Sequence, residues 1–165
     1  MRPLQQEGLV TAGNRGMLRV NSLTPAEVRE LFRVRAALEG LAVADITASS
    51  ERETSVARLR EALAQLTDAG GDFAVRVEAD LAFHLLLCQL AGNSMLVEAW
   101  RFLEGRIRVA IINGEPDNAP PMMSQDRHSP IIDAIEKGDV SAAVAVVEEH
   151  MAAAAEHFAD ARDAS

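Results

Sequence analysis

Apolar residues recur every three to four positions along most of the chain, the period of a helix that buries one face. The first such stretch opens at Thr24-Pro25-Ala26-Glu27, with a Thr cap, Pro at the first helical position and Glu placed to complete a capping box. Val28, Leu31, Phe32, Leu38 and Ala42 continue it at helical spacing, with Arg35 between Phe32 and Leu38. A second capping box at Ser50-Glu51-Arg52-Glu53 precedes Val56, Leu59, Leu63 and Leu66, and Gly70-Gly71 stops that helix. Asp72 can cap a third helix running to Gly92, and Asn93 a fourth reaching about Asn113. Gly114, Pro116, Pro120 and Pro121 predict a loop over 114–121, and two more helices follow, split at Lys137-Gly138-Asp139. The pattern predicts an all-α antiparallel bundle of about six helices.

Residues 1–22 read differently. Leu9-Val10-Thr11 and Met17-Leu18-Arg19-Val20 look like two short strands around a turn-rich Ala12-Gly13-Asn14-Arg15-Gly16. A hairpin this small does not fold stably alone. The division expected is therefore a remnant over 1–22 and a helical domain over 23–165.

Composition agrees with helices and narrows the function. Alanine and leucine dominate, aromatics are 4% and tyrosine is absent. The net charge of -9 makes the whole chain a poor binder of phosphate backbones. Cys88 is the single cysteine, so no intrachain disulfide can form. The first residues lack the apolar run of a signal peptide, and no stretch reaches the ~18 apolar residues of a membrane span. The expectation is a cytoplasmic protein without a membrane partner.

The candidate chemistry lies where ionisable residues fall on apolar stripes. The third helix reads Val77, Leu81, His84, Cys88, Ala91, with Asp80 one turn before His84. Residues four apart are about 40° apart around the axis, so Asp80 and His84 project to one side. The fifth stripe is His128, Ile131, Ile132, Ile135, and the sixth is Ala143, Val146, Val147, His150, Ala154. Each histidine taken singly is explained as a satisfied core residue, and Asp80 as a partner of His84. Together, carboxylate oxygen and neutral imidazole nitrogen also suit one divalent first-row metal: zinc, nickel, manganese or iron. His157 lies two turns, about 10 Å, beyond His150 and cannot share one metal sphere with it. Arg35 is either an ion-pair partner of Glu39 or a ligand-binding group. Arg106, between Leu103 and Ile107, either joins it in a cationic pocket for a carboxylate or reaches solvent by its long stem.

These residues carry a resemblance. Val34-Arg35-Ala36-Ala37-Leu38-Glu39-Gly40, Asp80-Leu81-Ala82-Phe83-His84 with Ala91-Gly92-Asn93, His128-Ser129-Pro130-Ile131-Ile132-Asp133-Ala134-Ile135 with Gly138-Asp139, and His150-Met151 are similar to the FCD domain of GntR-type transcription regulators, FadR-like branch. The resemblance covers about residues 24–160. It implies Asp80, His84, His128 and His150 as metal ligands. It also implies Arg35, Arg106 and Asn93 as contacts to a small carboxylate or sugar-acid effector, although a helix cap accounts for Asn93 equally well. Ser129-Pro130 departs from the family, which more often has a long residue there. Residues 4–20 resemble the end of a winged helix-turn-helix, its wing without its recognition helix, as in a truncated form, a misassigned start or a natural fragment. The resemblance thus implies a homodimeric effector-sensing domain that reaches DNA only through a module largely absent here, with no catalytic residues.

Three rivals stand beside it. A metal-dependent hydrolase or lyase could use the same ligands to activate water, but no further carboxylate is expected on the metal-bearing stripes. A ferritin-like di-iron bundle needs paired Glu-x-x-His motifs, and no histidine here has Glu three residues before it. A purely structural helical dimerisation module would need neither metal nor effector.

Overall fold

In a computed structural model the described residues are 10–12, 18–20, 22–69, 72–114 and 121–163. Strands β1 (Val10–Ala12) and β2 (Leu18–Val20) pair antiparallel with Val10 opposite Val20, the hairpin that the sequence predicts. Its turn, and most of the loop expected over 114–121, lie outside the described residues.

Six helices follow: α1 (Pro25–Ala48), α2 (Arg52–Asp68), α3 (Phe73–Leu90), α4 (Ser94–Gly114), α5 (Gln125–Lys137) and α6 (Val140–Asp163). A 3-10 turn, Pro121–Met123, precedes α5. The starts obey local chemistry. Thr24 Oγ1 accepts from the Glu27 amide at 3.2 Å while Glu27 Oε2 accepts from the Thr24 amide at 2.7 Å. Asp72 caps α3 through the Ala74 and Val75 amides, and Asp139 Oδ1 accepts from the Ala142 amide at the start of α6. Gly138, at φ 77°, ends α5 in the left-handed conformation that favours glycine.

The capping box expected at Ser50–Glu53 does not form. Helix α2 starts after Glu51 with no side-chain cap; in the short connection Ser49 Oγ accepts from the Glu51 amide at 3.0 Å, and the Arg52 guanidinium donates to the Thr47 carbonyl. The α1 stripe also shifts. Leu38 is only half-buried, and the buried positions run Val28, Phe32, Arg35, Glu39, Ala42, Val43, Ile46, so two charges lie inside.

Helices α1 and α6 form the most extensive pair and run antiparallel. Arg29 near the start of α1 bonds Glu156 and Asp160 near the end of α6, while Gly40 lies beside Val144. Helix α3 packs on α1, α2 and α4, and α5 on α2 and α6. Phe32, Phe83, Trp100, Leu59, Ile107 and Ile131 fill the resulting core. No described helix is long and apolar enough to cross a membrane.

Candidate metal centre and adjoining cavity

The packing brings the three histidine-bearing stripes together. His84 on α3, His128 on α5 and His150 on α6 are all buried, with ring centroids 4.8–5.3 Å apart. One potential ligand atom from each lies within 4.8 Å of the others. Phe83 meets the rings of His84 and His128 edge-on and closes that side. Asp80, also buried, places Oδ1 2.9 Å from His128 Nε2 and 3.9 Å from His84 Nε2. His157 stands apart, half-buried and edge-on to Phe158, as its spacing requires.

The hydrogen bonds decide how the rings are used. His84 Nδ1 lies 2.5 Å from a Glu39 carboxylate oxygen, His128 Nδ1 2.8 Å from the Ser124 carbonyl, and His150 Nδ1 3.2 Å from the Arg127 carbonyl. All three partners can only accept, so each Nδ1 must carry a hydrogen. In the neutral rings each Nε2 then keeps its lone pair. His84 Nε2 faces His128 Nε2 at 3.2 Å, and His128 Nε2 faces the Asp80 oxygen at 2.9 Å. Acceptors facing acceptors at such distances repel unless a proton or cation lies between them. Ligand atoms held 2.0–2.1 Å from one ion sit about 2.9–3.4 Å apart, so these two separations suit a zinc-sized cation. The donor set therefore fits a divalent metal.

Charge reinforces this arrangement. Burial would raise the Asp80 carboxyl, but the facing imidazoles of His128 and His84 and the Arg35 guanidinium outweigh it and hold the group ionised. His150 is pushed down to about 2 by burial and by its two histidine neighbours, so its ring stays neutral and able to ligate. Burial and the nearby Glu39 carboxylate push the Cys88 thiol upward, so it stays protonated and inert.

Glu39 is the residue that the sequence reading did not single out for the site. Fully buried, it accepts on Oε1 from Arg35 Nε at 3.0 Å and from Trp100 Nε1 at 2.9 Å, and on Oε2 from His84. Burial raises its carboxyl, but His84 and Arg35 together pull it down to about 2. This carboxylate is taken up by three donors and is not a free base.

Arg35 takes the ion-pair role with Glu39. Its Nε pairs with Glu39 and its guanidinium lies 5.0 Å over the Phe32 ring, yet its buried Nη2 has no partner. It borders a cavity shared with Asp80, His84, His150, Met122 and Met123, whose free volume is about 10 Å³. That is the scale of one water or ion. The other two expected effector contacts are elsewhere. Arg106 is exposed and lines a separate cleft with Leu23, Glu30, Leu31, Val34 and Leu103, because its position on α4 faces outward. Asn93 caps α4 through the Leu96 amide at 3.2 Å and does not line the cavity.

Comparison with known proteins comes at this point. A family model described as the FCD domain matches residues 30–153. A probable D-xylose utilization operon transcriptional repressor of Paenarthrobacter nicotinovorans is 29% identical over 155 residues, 92% of this chain and 67% of that protein. Among solved structures, E. coli McbR/YncC superposes with a TM-score of 0.80 at 18% identity, over 99% of this chain and 82% of that one. A GntR transcriptional regulator from Rhodococcus sp. RHA1 gives 0.77 at 23% identity, over 95% and 75%. At these identities the two structures speak to the fold.

Proposed function

The chain belongs to the FCD-domain family of GntR-type transcription regulators, and from that premise we propose that it senses a small organic acid at a metal centre on Asp80, His84, His128 and His150. The observation that carries this reading is the convergence of three buried histidines, one ring nitrogen of each within 4.8 Å of the others, whose Nδ1 atoms are all engaged by acceptors. The metal would supply a Lewis-acid position for one carboxylate oxygen. Arg35 Nη2, buried and unpartnered beside the same residues, would take another oxygen.

A cavity of about 10 Å³ admits no organic acid as it stands. The described arrangement is then the closed one, and binding requires it to open. Met122 and Met123, flexible side chains bordering the cavity, are the groups that can give way. An acid that binds only the opened form shifts the balance between two states, as a regulator requires. The chain would belong to the FadR branch, act as a homodimer and reach DNA through a winged helix-turn-helix of which residues 1–22 are the end.

Metal analysis of the purified protein followed by calorimetric titration tests this reading. One relative is named for D-xylose utilization, so D-xylose and its aldonic acid join citrate and short dicarboxylates in the panel. About one divalent ion per chain, and an acid that binds only when it is present, are the expected results. A protein that stays metal-free after reconstitution overturns the reading.

A further inference from the structure

The three Nδ1 hydrogens of the candidate centre are not held alike. Those of His128 and His150 go to backbone carbonyls, whereas that of His84 goes to a side chain, Glu39. Glu39 also bonds both that imidazole and the buried Arg35 cation, and its Oε1 holds the indole of Trp100 on α4 as well. We infer that Glu39 is a positioning residue: it fixes which nitrogen His84 offers to the centre, and it ties occupancy of the Arg35 cavity to helix α4. This deepens the proposed function and rests on it.

The physical argument runs through donors and acceptors. An imidazole has two neutral tautomers, and a carboxylate oxygen at 2.5 Å from Nδ1 selects the one with hydrogen there, leaving Nε2 free to ligate. Both Glu39 oxygens are committed, to three donors on three helices, within a site closed to water. An anion at Arg35 Nη2 competes with Glu39 for the same guanidinium. A loosened Glu39 then alters its hold on His84 and on Trp100 together. Trp100 is the only tryptophan in the chain, so its emission reports this event without added label.

The test uses the full chain, with Zn²⁺ as the metal probe and citrate as the acid probe. A Glu39→Gln side chain keeps its shape but presents one acceptor oxygen, and its amide hydrogens oppose those of the donors around it. Its Zn²⁺ dissociation constant, measured by competition with a chromophoric chelator, should rise about 10- to 100-fold. Glu39→Asp, which restores a carboxylate, should recover part of that loss. In the parent, Trp100 emission should shift when Zn²⁺ is added and again when citrate follows, and Glu39→Gln should abolish the second shift. Equal Zn²⁺ affinity in parent and Glu39→Gln overturns the inference while leaving the metal centre intact. A parent that binds no Zn²⁺ overturns the metal centre itself. Should Glu39→Gln not fold, long-range ¹H–¹⁵N spectra of the metal-free parent at pH 8 give the answer. Hydrogen on His84 Nδ1 alone supports the inference, and any hydrogen on Nε2 overturns it. A merely structural Glu39 would lower the melting temperature and leave both readouts unmoved.

Discussion

Two concavities flank helix α1, and each contains an arginine. The cleft at Arg106 has a volume of about 530 Å³, lies open, and is edged by Glu27 and Glu30. The cavity at Arg35 is about 10 Å³, room for one water or ion. By volume the first is the obvious ligand site. By chemistry the second is, because water solvates an exposed guanidinium at no cost, whereas a buried N–H without a partner costs about 1–3 kcal/mol. Unmet bonding capacity beside the histidines, rather than room, is what favours the second as the proposed site.

The comparison is broken most directly at the histidines. His128→Ala removes one of the converging Nε2 atoms, and metal content by elemental analysis should fall from about one ion per chain to near zero. Retention of a full equivalent would place the metal elsewhere. The arginines come next. Arg35→Ala should weaken binding of the best acid about 10- to 150-fold, the loss of one charge-assisted contact of about 1.5–3 kcal/mol, while metal content stays constant. Arg106→Ala should leave calorimetric affinity unchanged, and a comparable loss there would move the effector site to the open cleft.

Acidity sharpens the contrast by a smaller amount. In the metal-free protein the folded His150 is held far below its ordinary 6.5, so only the unfolded chain takes up that proton as the pH falls. The stability that a neutral His150 allows is present above pH 6.5 and is lost below it, by up to about 1.4 kcal/mol for each pH unit. Glu39 adds a second loss below its ordinary 4.5, continuing toward 2. Denaturant titrations at pH 7.5, 6.5 and 5.5 should show the first decline, and added Zn²⁺ should delay it. Asn93→Ala, the mildest change, should cost about 1 kcal/mol of stability through the lost α4 cap and leave acid affinity untouched.

Much of this was legible from periodicity. Asp80, His84, His128 and His150 could be placed on inward stripes because apolar neighbours three and four residues away fix the face. Glu39 was visible only as the residue one turn after Arg35. Both lie on the stripe of Phe32, Val43 and Ile46, and two charges on a buried stripe were the available signal. What spacing could not supply is that α1 meets both α3 and α4 at that level, which makes one carboxylate the acceptor for His84 and Trp100 at once. Arg106 takes the second of its two expected alternatives and reaches solvent. Its apolar neighbours Leu103 and Ile107 both lie on one side of it, about 60° and 100° round α4, so Arg106 stands off their stripe and faces outward.

Helix α1 has a mechanical consequence. Arg35 stands ten residues from Pro25, about 15 Å along a stiff rod. At its other end Thr24 and Glu27 bond each other in both directions, so the first turn does not fray and the chain leaves the helix in a set direction. Between these points the rod is seated in the core through Val28, Leu31 and Phe32, and Arg29 ties it to Glu156 and Asp160 by pairs that are partly exposed and weak. A tilt begun at Arg35 would therefore arrive at Thr24 without being absorbed by bending, and would re-aim whatever polypeptide precedes it.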